Sequence, residues 1–164
     1  NPEIKLAFQP GTFQMKLGTD KLARLYKRTE AFFCNKEEAQ RILGNKEEDI
    51  KVQMSNLHAL GPKLVCITDG PNGAYASDGE NAWFIPMYPD PKPPVERTGA
   101  GDAFSSTVTA MLALGKPLET AITYGPVNSM NVVQYVGAQA GLLTLAEIEK
   151  WLAKAPEDYK IKKI

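Results

Sequence analysis

The sequence predicts an α/β fold: a mainly parallel sheet with helices on both faces and antiparallel strands added at one edge. Short apolar runs alternate with segments of helical periodicity through the first 70 residues, a pattern typical of βαβ units. Leu64–Thr68 is an unbroken apolar run, as expected of a parallel strand buried on both faces. Between residues 64 and 86 the predicted strands are separated only by short turns, which indicates the antiparallel edge.

Local signals place the individual elements. Asn35 is a candidate N-cap for one helix and Gly44 ends it, while Gly125-Pro126 predicts a break inside a later one. Thr144, followed three residues later by a glutamate, has the spacing of a capping box. The predicted strands are residues 4–8, 31–34, 64–68, 74–76 and 82–85, and the predicted helices are residues 20–28, 36–43, 47–60, 102–114, 118–135 and 145–153.

Residues 86–94 contain five prolines in nine positions, a composition that excludes a helix or a central strand. We therefore predict a stiff, extended connector there. Residues 137–141 are mostly small and predict a loop, and the basic, polar C-terminal tail predicts a solvated segment.

Composition narrows the class of function. The 164 residues suggest one domain, 1–164, and the formal net charge of +0 argues against nucleic acid or an acidic membrane as a partner. No apolar run reaches the length of a membrane span. Cys34 and Cys66 lie inside apolar runs without a neighbouring metal-ligand pattern, which predicts two buried, reduced thiols in a cytoplasmic protein.

The stretch Thr98-Gly99-Ala100-Gly101-Asp102 carries the candidate chemistry. Its small residues let the backbone approach a ligand closely, and the helix that follows leaves N–H groups unpaired in its first turn. These features predict an anion site. An aspartate beside a bound phosphate is unusual unless it meets another group, such as a hydroxyl about to lose its proton.

Several interpretations fit this stretch. A plain glycine-rich loop with a capping aspartate is common. A dinucleotide-binding fingerprint is disfavoured because Phe104 replaces the third small residue, and a P-loop lacks its Gly-Lys-Ser/Thr. In phosphoryl transfer, the N–H groups of Gly99, Ala100 and Gly101 would stabilise the transferring group, and Asp102 would accept the proton of the attacking hydroxyl.

Residues 98–104, Thr-Gly-Ala-Gly-Asp-Ala-Phe, resemble the second signature of the ribokinase-like (PfkB) carbohydrate kinases. Asn35-Lys-Glu-Glu38 is similar to the N-x-x-E element of that family, and residues 68–73 are similar to its T-x-G-x-x-G loop. Asn128 matches an asparagine near the adenine, and Gly137-Ala-Gln139 matches a loop that closes the nucleotide site. The resemblance runs from about residue 1 to residue 152.

The resemblance implies a three-layer αβα fold and an ATP-dependent kinase acting on a small sugar, sugar acid or nucleoside. It implies that Asn35 and Glu38 hold Mg²⁺ indirectly. Binding of a monovalent cation such as K⁺ is left as an open question, because Glu96 stands where the family usually has aspartate. The implied nucleotide-binding residues are Thr68, Asp69, Gly70, Pro71, Asn72, Gly73, Asn128 and Asn35.

Each of these elements also has a structural explanation. Asn35 and Glu38 fit a helix cap with its capping-box partner. Residues 68–73 fit a plain hairpin turn, and Asn128 fits a buried polar group of a helix. These alternatives stay open at the level of sequence.

Family members are roughly twice this length, and their first half, with a lid and the sugar-binding residues, has no counterpart here. We therefore expect a C-terminal, ATP-binding portion of such a kinase, weak or inactive by itself because little would hold the acceptor hydroxyl. An uncovered sheet edge would favour pairing with another chain, including a homo-oligomer. The alternative is a non-catalytic nucleotide-binding or scaffold domain that retains the fold.

Overall fold

Six short strands form one sheet in the computed structural model, which describes residues 3–164. They are β1 Ala7–Phe8, β2 Ala31–Asn35, β3 Leu64–Thr68, β4 Ala74–Ser77, β5 Ala82–Ile85 and β6 Lys162–Lys163, and they lie in that order across the sheet. β1 pairs with β2 and β2 with β3, both in parallel. Residues 69–73 and 78–81 are too short for a parallel crossover, which needs roughly a dozen residues, so β4 and β5 are antiparallel additions.

Eight α-helices occur in the described residues. They are α1 Thr12–Leu17, α2 Thr19–Arg28, α3 Lys36–Leu43, α4 Ile50–Ala59, α5 Ala100–Ala113, α6 Leu118–Ala121, α7 Gly125–Val132 and α8 Leu145–Leu152, and one 3₁₀ turn covers Gly70–Asn72. None of the helices in residues 3–164 has both the length and the apolar character needed to cross a membrane.

The chain divides into two compact units. The described part of the first consists of residues 3–69, 75–83 and 163–164, and the second consists of residues 70–74 and 84–162. The prediction that residues 1–164 form a single domain stays a prediction.

Aromatic and aliphatic side chains from β2, β3 and helices α2–α4 build the core of the first unit. The rings of Tyr26 and Phe32 lie 5.5 Å apart, and Phe8 meets both edge-on at 5.8 Å. Complete burial of a large apolar side chain contributes about 1.5–3 kcal/mol, so this cluster is a main source of the unit's stability. Its buried members are Tyr26, Phe32, Cys34, Ala39, Met54, Leu57, Val65 and Ile67.

Helix boundaries in the first unit follow from their caps. α3 has the predicted bounds, with Asn35 as N-cap and Gly44 in the left-handed conformation at its end. α4 begins at Ile50, whereas the sequence predicted a start at residue 47. Asp49 caps it by accepting a hydrogen bond from the Lys51 N–H at 2.7 Å, while the Glu47 carbonyl is taken by two glutamine side chains.

The bounds of the first strand were predicted wrongly, and two short elements, α1 and β6, were not predicted. The first strand is shorter than residues 4–8, and α1 was not predicted because it buries no residue and leaves Phe13 70% exposed. The tail is not simply solvated, since β6 pairs with the sheet. The N–H of Ile164 donates to the carbonyl of Ala82 at 2.9 Å.

In the second unit, α5 and α7 pack closely on each other. A Cβ at Gly125 would lie 2.5 Å from the ring of Phe104, so glycine is what lets the two helices approach. The predicted break is confirmed, because α6 ends at Ala121 and α7 starts at Gly125. Pro126 falls in the first turn of α7, where its missing N–H costs no helical hydrogen bond.

The proline-rich connector has neither helix nor strand over residues 86–94, as predicted, and it is anchored by an aromatic side chain. Tyr88 is buried, and its hydroxyl donates to the carbonyl of Trp151 at 2.8 Å. Its ring packs edge-on against Trp151 and Tyr159 at centroid distances of 5.9 Å and 4.8 Å. The connector is therefore tied to α8 and to the segment after it.

The burial of the two cysteines in the first unit can be tested with a thiol reagent. Phe33 is the register partner of Cys66, so Cys34 points to the opposite face of the sheet and cannot form a disulfide with Cys66. Burial raises the pKa of both thiols, that of Cys66 to about 12. We expect no reaction with Ellman's reagent in the native protein at pH 8 and reaction of both thiols in guanidinium chloride.

The same pKa shifts predict how stability depends on pH. Because the folded-state pKa of each thiol is raised, its contribution to the free energy of unfolding is complete below the ordinary pKa of 9.0. That contribution is lost as the pH rises from there toward 12. Rapid labelling of one cysteine in the native state would contradict the burial on which both expectations depend.

Candidate active site

Two predicted elements begin at the same edge of the sheet in the first unit. Asn35 ends β2 and Thr68 ends β3, and the two are partners in the parallel register. The carboxyl ends of parallel strands are where ligands bind in open α/β sheets. The N-x-x-E element and the start of the T-x-G-x-x-G loop are therefore brought together where a binding site is expected.

Asn35 and Glu38 form a capping box. The Glu38 N–H donates to Asn35 Oδ1 and the Asn35 N–H donates to Glu38 Oε2, both at 2.8 Å. The cap uses one carboxylate oxygen and leaves Oε1 for another role. Mg²⁺ in nucleotide sites usually keeps several waters, so an indirect role of Glu38 fits this geometry. Residues 3–164 contain no cluster of three or more His, Cys, Asp or Glu side chains able to hold a metal.

Lys36 adds a positive charge at this edge that the sequence analysis did not single out. Its Nζ lies 2.8 Å from a carboxylate oxygen of Glu48. Glu48, and more weakly Asp69 and Tyr75, raise the pKa of Lys36. Its position directly after Asn35 was the one available signal, since the first residue of a helix after a parallel strand lies at the ligand-binding edge.

The loop of residues 68–73 folds as a tight turn. Gly70, Pro71 and Asn72 form a single 3₁₀ turn, closed by a hydrogen bond from the Gly73 N–H to the Gly70 carbonyl at 3.2 Å. Gly73 has φ of 103°, and a Cβ there would collide with the carbonyl oxygen of Ile85. Only glycine fits this position, so the backbone of the turn is closely defined.

The stretch of residues 98–102 forms the start of α5, two residues earlier than predicted. Gly99 is the N-cap, with φ of 84°, and its carbonyl accepts the first helical hydrogen bond from Ala103 at 2.8 Å. The Ala100 N–H donates to the Arg97 carbonyl at 3.3 Å. The Gly101 N–H precedes the first helical bond and has no acceptor in the helix, so it is the best-placed donor for an anion.

Residues 95–100 are held at three points by α7 and the residues that follow it. The N–H groups of Val95 and Glu96 both donate to the Val133 carbonyl, at 2.8 Å and 3.3 Å. The Ser129 hydroxyl donates to the Ala100 carbonyl at 2.8 Å. A Cβ on Gly99 would lie 2.7 Å from the backbone of Ala138, inside the predicted small-residue loop.

Asp102 lies in the first turn of α5 and is exposed. The hydroxyl of Ser106 donates to its backbone carbonyl at 2.7 Å. Exposure and position together allow the carboxylate to meet a substrate beside the Gly101 N–H. The predicted roles of Gly99, Ala100, Gly101 and Asp102 stay predictions.

Asn128 is buried, with 5% of its surface exposed. Its amide nitrogen donates to Thr107 Oγ1 at 2.8 Å, and its Oδ1 accepts from the Leu143 N–H at 2.9 Å. Such contacts are typical of the alternative left open above, a buried polar group that fixes packing. A nucleotide contact of Asn128 stays a prediction.

Comparison with known proteins identifies the family. Residues 9–145 match the pfkB family carbohydrate kinase. The chain belongs to the pfkB family of carbohydrate kinases. The match includes both glycine-containing loops and Asp102.

Three similar proteins illustrate the relationship. A cytidine kinase of Thermococcus kodakarensis is 36% identical over 118 residues, which are 72% of this chain and 42% of the relative. The nucleoside kinase structure of Methanocaldococcus jannaschii gives a TM-score of 0.78 at 23% identity, over 92% of this chain and 48% of that one. Arabidopsis thaliana ribokinase, complexed with ribose and ATP, gives 0.73 at 24% identity, over 79% and 43%.

These matches show the fold of the chain and how much of its relatives' length it covers. The fold is the ribokinase-like αβα fold, as predicted. The chain spans less than half the length of the cytidine kinase and about half of the nucleoside kinase.

Within this pfkB chain, the K⁺ prediction concerned Glu96 and the loop beginning at Gly137. The Glu96 backbone is fixed by its hydrogen bond to Val133, and Glu96 itself is half-buried. A role of Glu96 with a monovalent cation stays a prediction.

The contact between Gly99 and Ala138 can be tested with a matched pair of variants. Gly99 and Gly115 stand at the two ends of α5 with φ of 84° and 81°, but nothing lies within 4 Å of a Cβ at Gly115. Both Gly99→Ala and Gly115→Ala place alanine in the left-handed region, which costs about 1–2 kcal/mol. Gly99→Ala adds a collision, so we expect it to lose about 1–3 kcal/mol more in urea unfolding. Equal losses would contradict the close approach.

Proposed function

We propose that this chain is the nucleotide-binding part of an ATP-dependent kinase that phosphorylates a hydroxyl of a small sugar, sugar acid or nucleoside. The observation that carries the proposal is the start of α5, where a glycine-rich turn, an N–H without an acceptor in the helix and an exposed aspartate lie together. Membership of the pfkB family supports the same chemistry.

In this proposal the N–H groups at the start of α5 stabilise negative charge on the transferring phosphoryl group. Of the predicted donors Gly99, Ala100 and Gly101, the Gly101 N–H is the strongest candidate, since that of Ala100 already bonds Arg97. The positive end of the helix dipole acts in the same direction. Donors that are in place before reaction need no reorganisation, which is why such sites accelerate group transfer.

Asp102 takes the proton of the acceptor hydroxyl on its carboxylate. A carboxylate is a weak base at neutral pH. That weakness is tolerable because the transition state of phosphoryl transfer is loose and needs little early removal of the proton. Asp102 therefore also orients the acceptor hydroxyl, a role that depends on position more than on basicity.

The end of β2 and the start of α3 supply the proposed contacts with the metal, and the end of β3 with the loop that follows it supplies those with the nucleotide. Glu38 Oε1, outside the capping box, would hold Mg²⁺ through water, with Asn35 beside it. Mg²⁺, when bound, neutralises charge on the phosphates. Thr68 and Asp69 begin the loop that we assign to the nucleotide, and Gly70–Asn72 with Gly73 complete it.

The relatives suggest which acceptors to test. One is named a cytidine kinase, and another is a ribokinase complexed with ribose and ATP. We propose a panel of cytidine and other nucleosides, ribose, fructose and a ketodeoxy sugar acid, with ADP release as the readout. Binding of Mg·ATP without ADP release from any acceptor would favour the non-catalytic alternative.

Replacement of the proposed base is the direct test. We expect Asp102→Asn to lower kcat by about 10²–10⁴-fold, because the variant cannot accept the proton. Binding of Mg·ATP should stay equal or become tighter, because a negative charge beside the phosphate site is removed. Steady-state kinetics with the best acceptor and calorimetric titration with Mg·ATP measure the two effects.

Asp20→Asn is a matched control, since Asp20 is an exposed carboxylate in the first turn of α2. It should lose the same small dipole interaction while kcat stays unchanged. Turnover of Asp102→Asn within about threefold of the unmodified protein would rule out Asp102 as the base.

A further inference from the structure

The first turn of α5 is weakly restrained from within. Gly99 and Gly101 lack side chains, and glycine has more conformational freedom than any other residue. The first N–H groups of a helix also lack partners in the helix, so helix starts tend to fray. A turn that binds an anion through its backbone therefore needs support from outside the helix.

Ser129 on α7 provides such support. Its hydroxyl is half-buried and donates to the Ala100 carbonyl at 2.8 Å. The peptide between Ala100 and Gly101 is trans, as are all those described, so its C=O and N–H point in opposite directions. Fixing the Ala100 carbonyl against α7 therefore fixes the Gly101 N–H pointing away from α7.

The support is itself rigid. Val127 and Val132 of α7 are completely buried, and Asn128 is bonded at both ends of its amide. Val133, one turn after Ser129, holds the backbone of residues 95 and 96 on the same side of the helix. The hydroxyl of Ser129 is thus presented from a well-packed helix to a turn in which two glycines lack side chains.

We propose that Ser129 is a positioning residue for phosphoryl transfer, which preorganises the Gly101 N–H for the terminal phosphate of ATP. The inference rests on the proposed function, because it assumes that the start of α5 receives this phosphate. Nothing in the sequence marked Ser129, since its contact is made to a residue 29 positions earlier.

The experiment compares Ser129→Ala, Ser129→Thr and Thr123→Val in the whole chain. Thr123 is a matched control because its hydroxyl also donates to a backbone carbonyl at 2.8 Å, that of Thr120, away from α5. Dissociation constants for Mg·ATP and Mg·ADP are measured by calorimetry, and the midpoint of thermal unfolding is measured for each variant.

We expect Ser129→Ala to weaken binding of Mg·ATP by about three- to tenfold, the range for loss of one hydrogen bond. Binding of Mg·ADP, which lacks the terminal phosphate, should change by less than about twofold by the same reasoning. Ser129→Thr should restore the Mg·ATP affinity because it restores the hydroxyl. Thr123→Val should leave both affinities unchanged, whatever it does to thermal stability.

Other outcomes overturn the inference in distinguishable ways. If the unmodified chain binds no Mg·ATP, both the proposed function and the role of Ser129 fail. If it binds Mg·ATP and Ser129→Ala binds equally well, the function stands and the positioning role fails. A parallel loss of ATP and ADP affinity that follows the unfolding midpoint would make Ser129 a stabilising residue only.

Discussion

The close approach of Gly99 to the loop after α7 is the constraint on which the candidate site depends. Gly99 has a left-handed backbone, and any side chain there would collide with Ala138. Two separate requirements for glycine therefore coincide at one residue. Together they fix where α5 begins, and the start of α5 decides which N–H groups are unpaired.

A second glycine, Gly125, also permits a close approach, in this case between α5 and α7. Gly125 lets α7 lie against Phe104, and this packing brings Ser129 and Val133 to the start of α5. Because helix contacts of this kind are close-packed, a displacement of α7 would reach the backbone of residues 95–101. The geometry of the candidate anion site is thus set by helix packing and not by the loop alone.

Much of the fold could be predicted because its signals are local. Buried parallel strands show as apolar runs, and the caps at Asn35 and Thr144 mark helix starts within three residues. The errors occur where tertiary contacts decide. α1 buries nothing and so has no periodic signal, and β6 exists because its backbone meets a strand 80 residues earlier.

The same distinction applies to the candidate site. Gly99, Gly101 and Asp102 could be singled out because a glycine-rich helix start predicts an anion site, where an aspartate is unusual. Ser129 could not, since an isolated serine in a helix has no pattern. For Asn128 the family resemblance predicts a nucleotide contact, which stays a prediction, while its partners within the chain are Thr107 and Leu143.

The proposed function separates two tasks, namely holding the phosphate and choosing the acceptor. In the second unit, the groups assigned to the phosphate are supported by α7 and by residues 95–97, all in the same compact unit. Their preorganisation therefore needs no contribution from the acceptor. An anion site of this kind can serve different hydroxyl acceptors, provided that each places its oxygen beside Asp102.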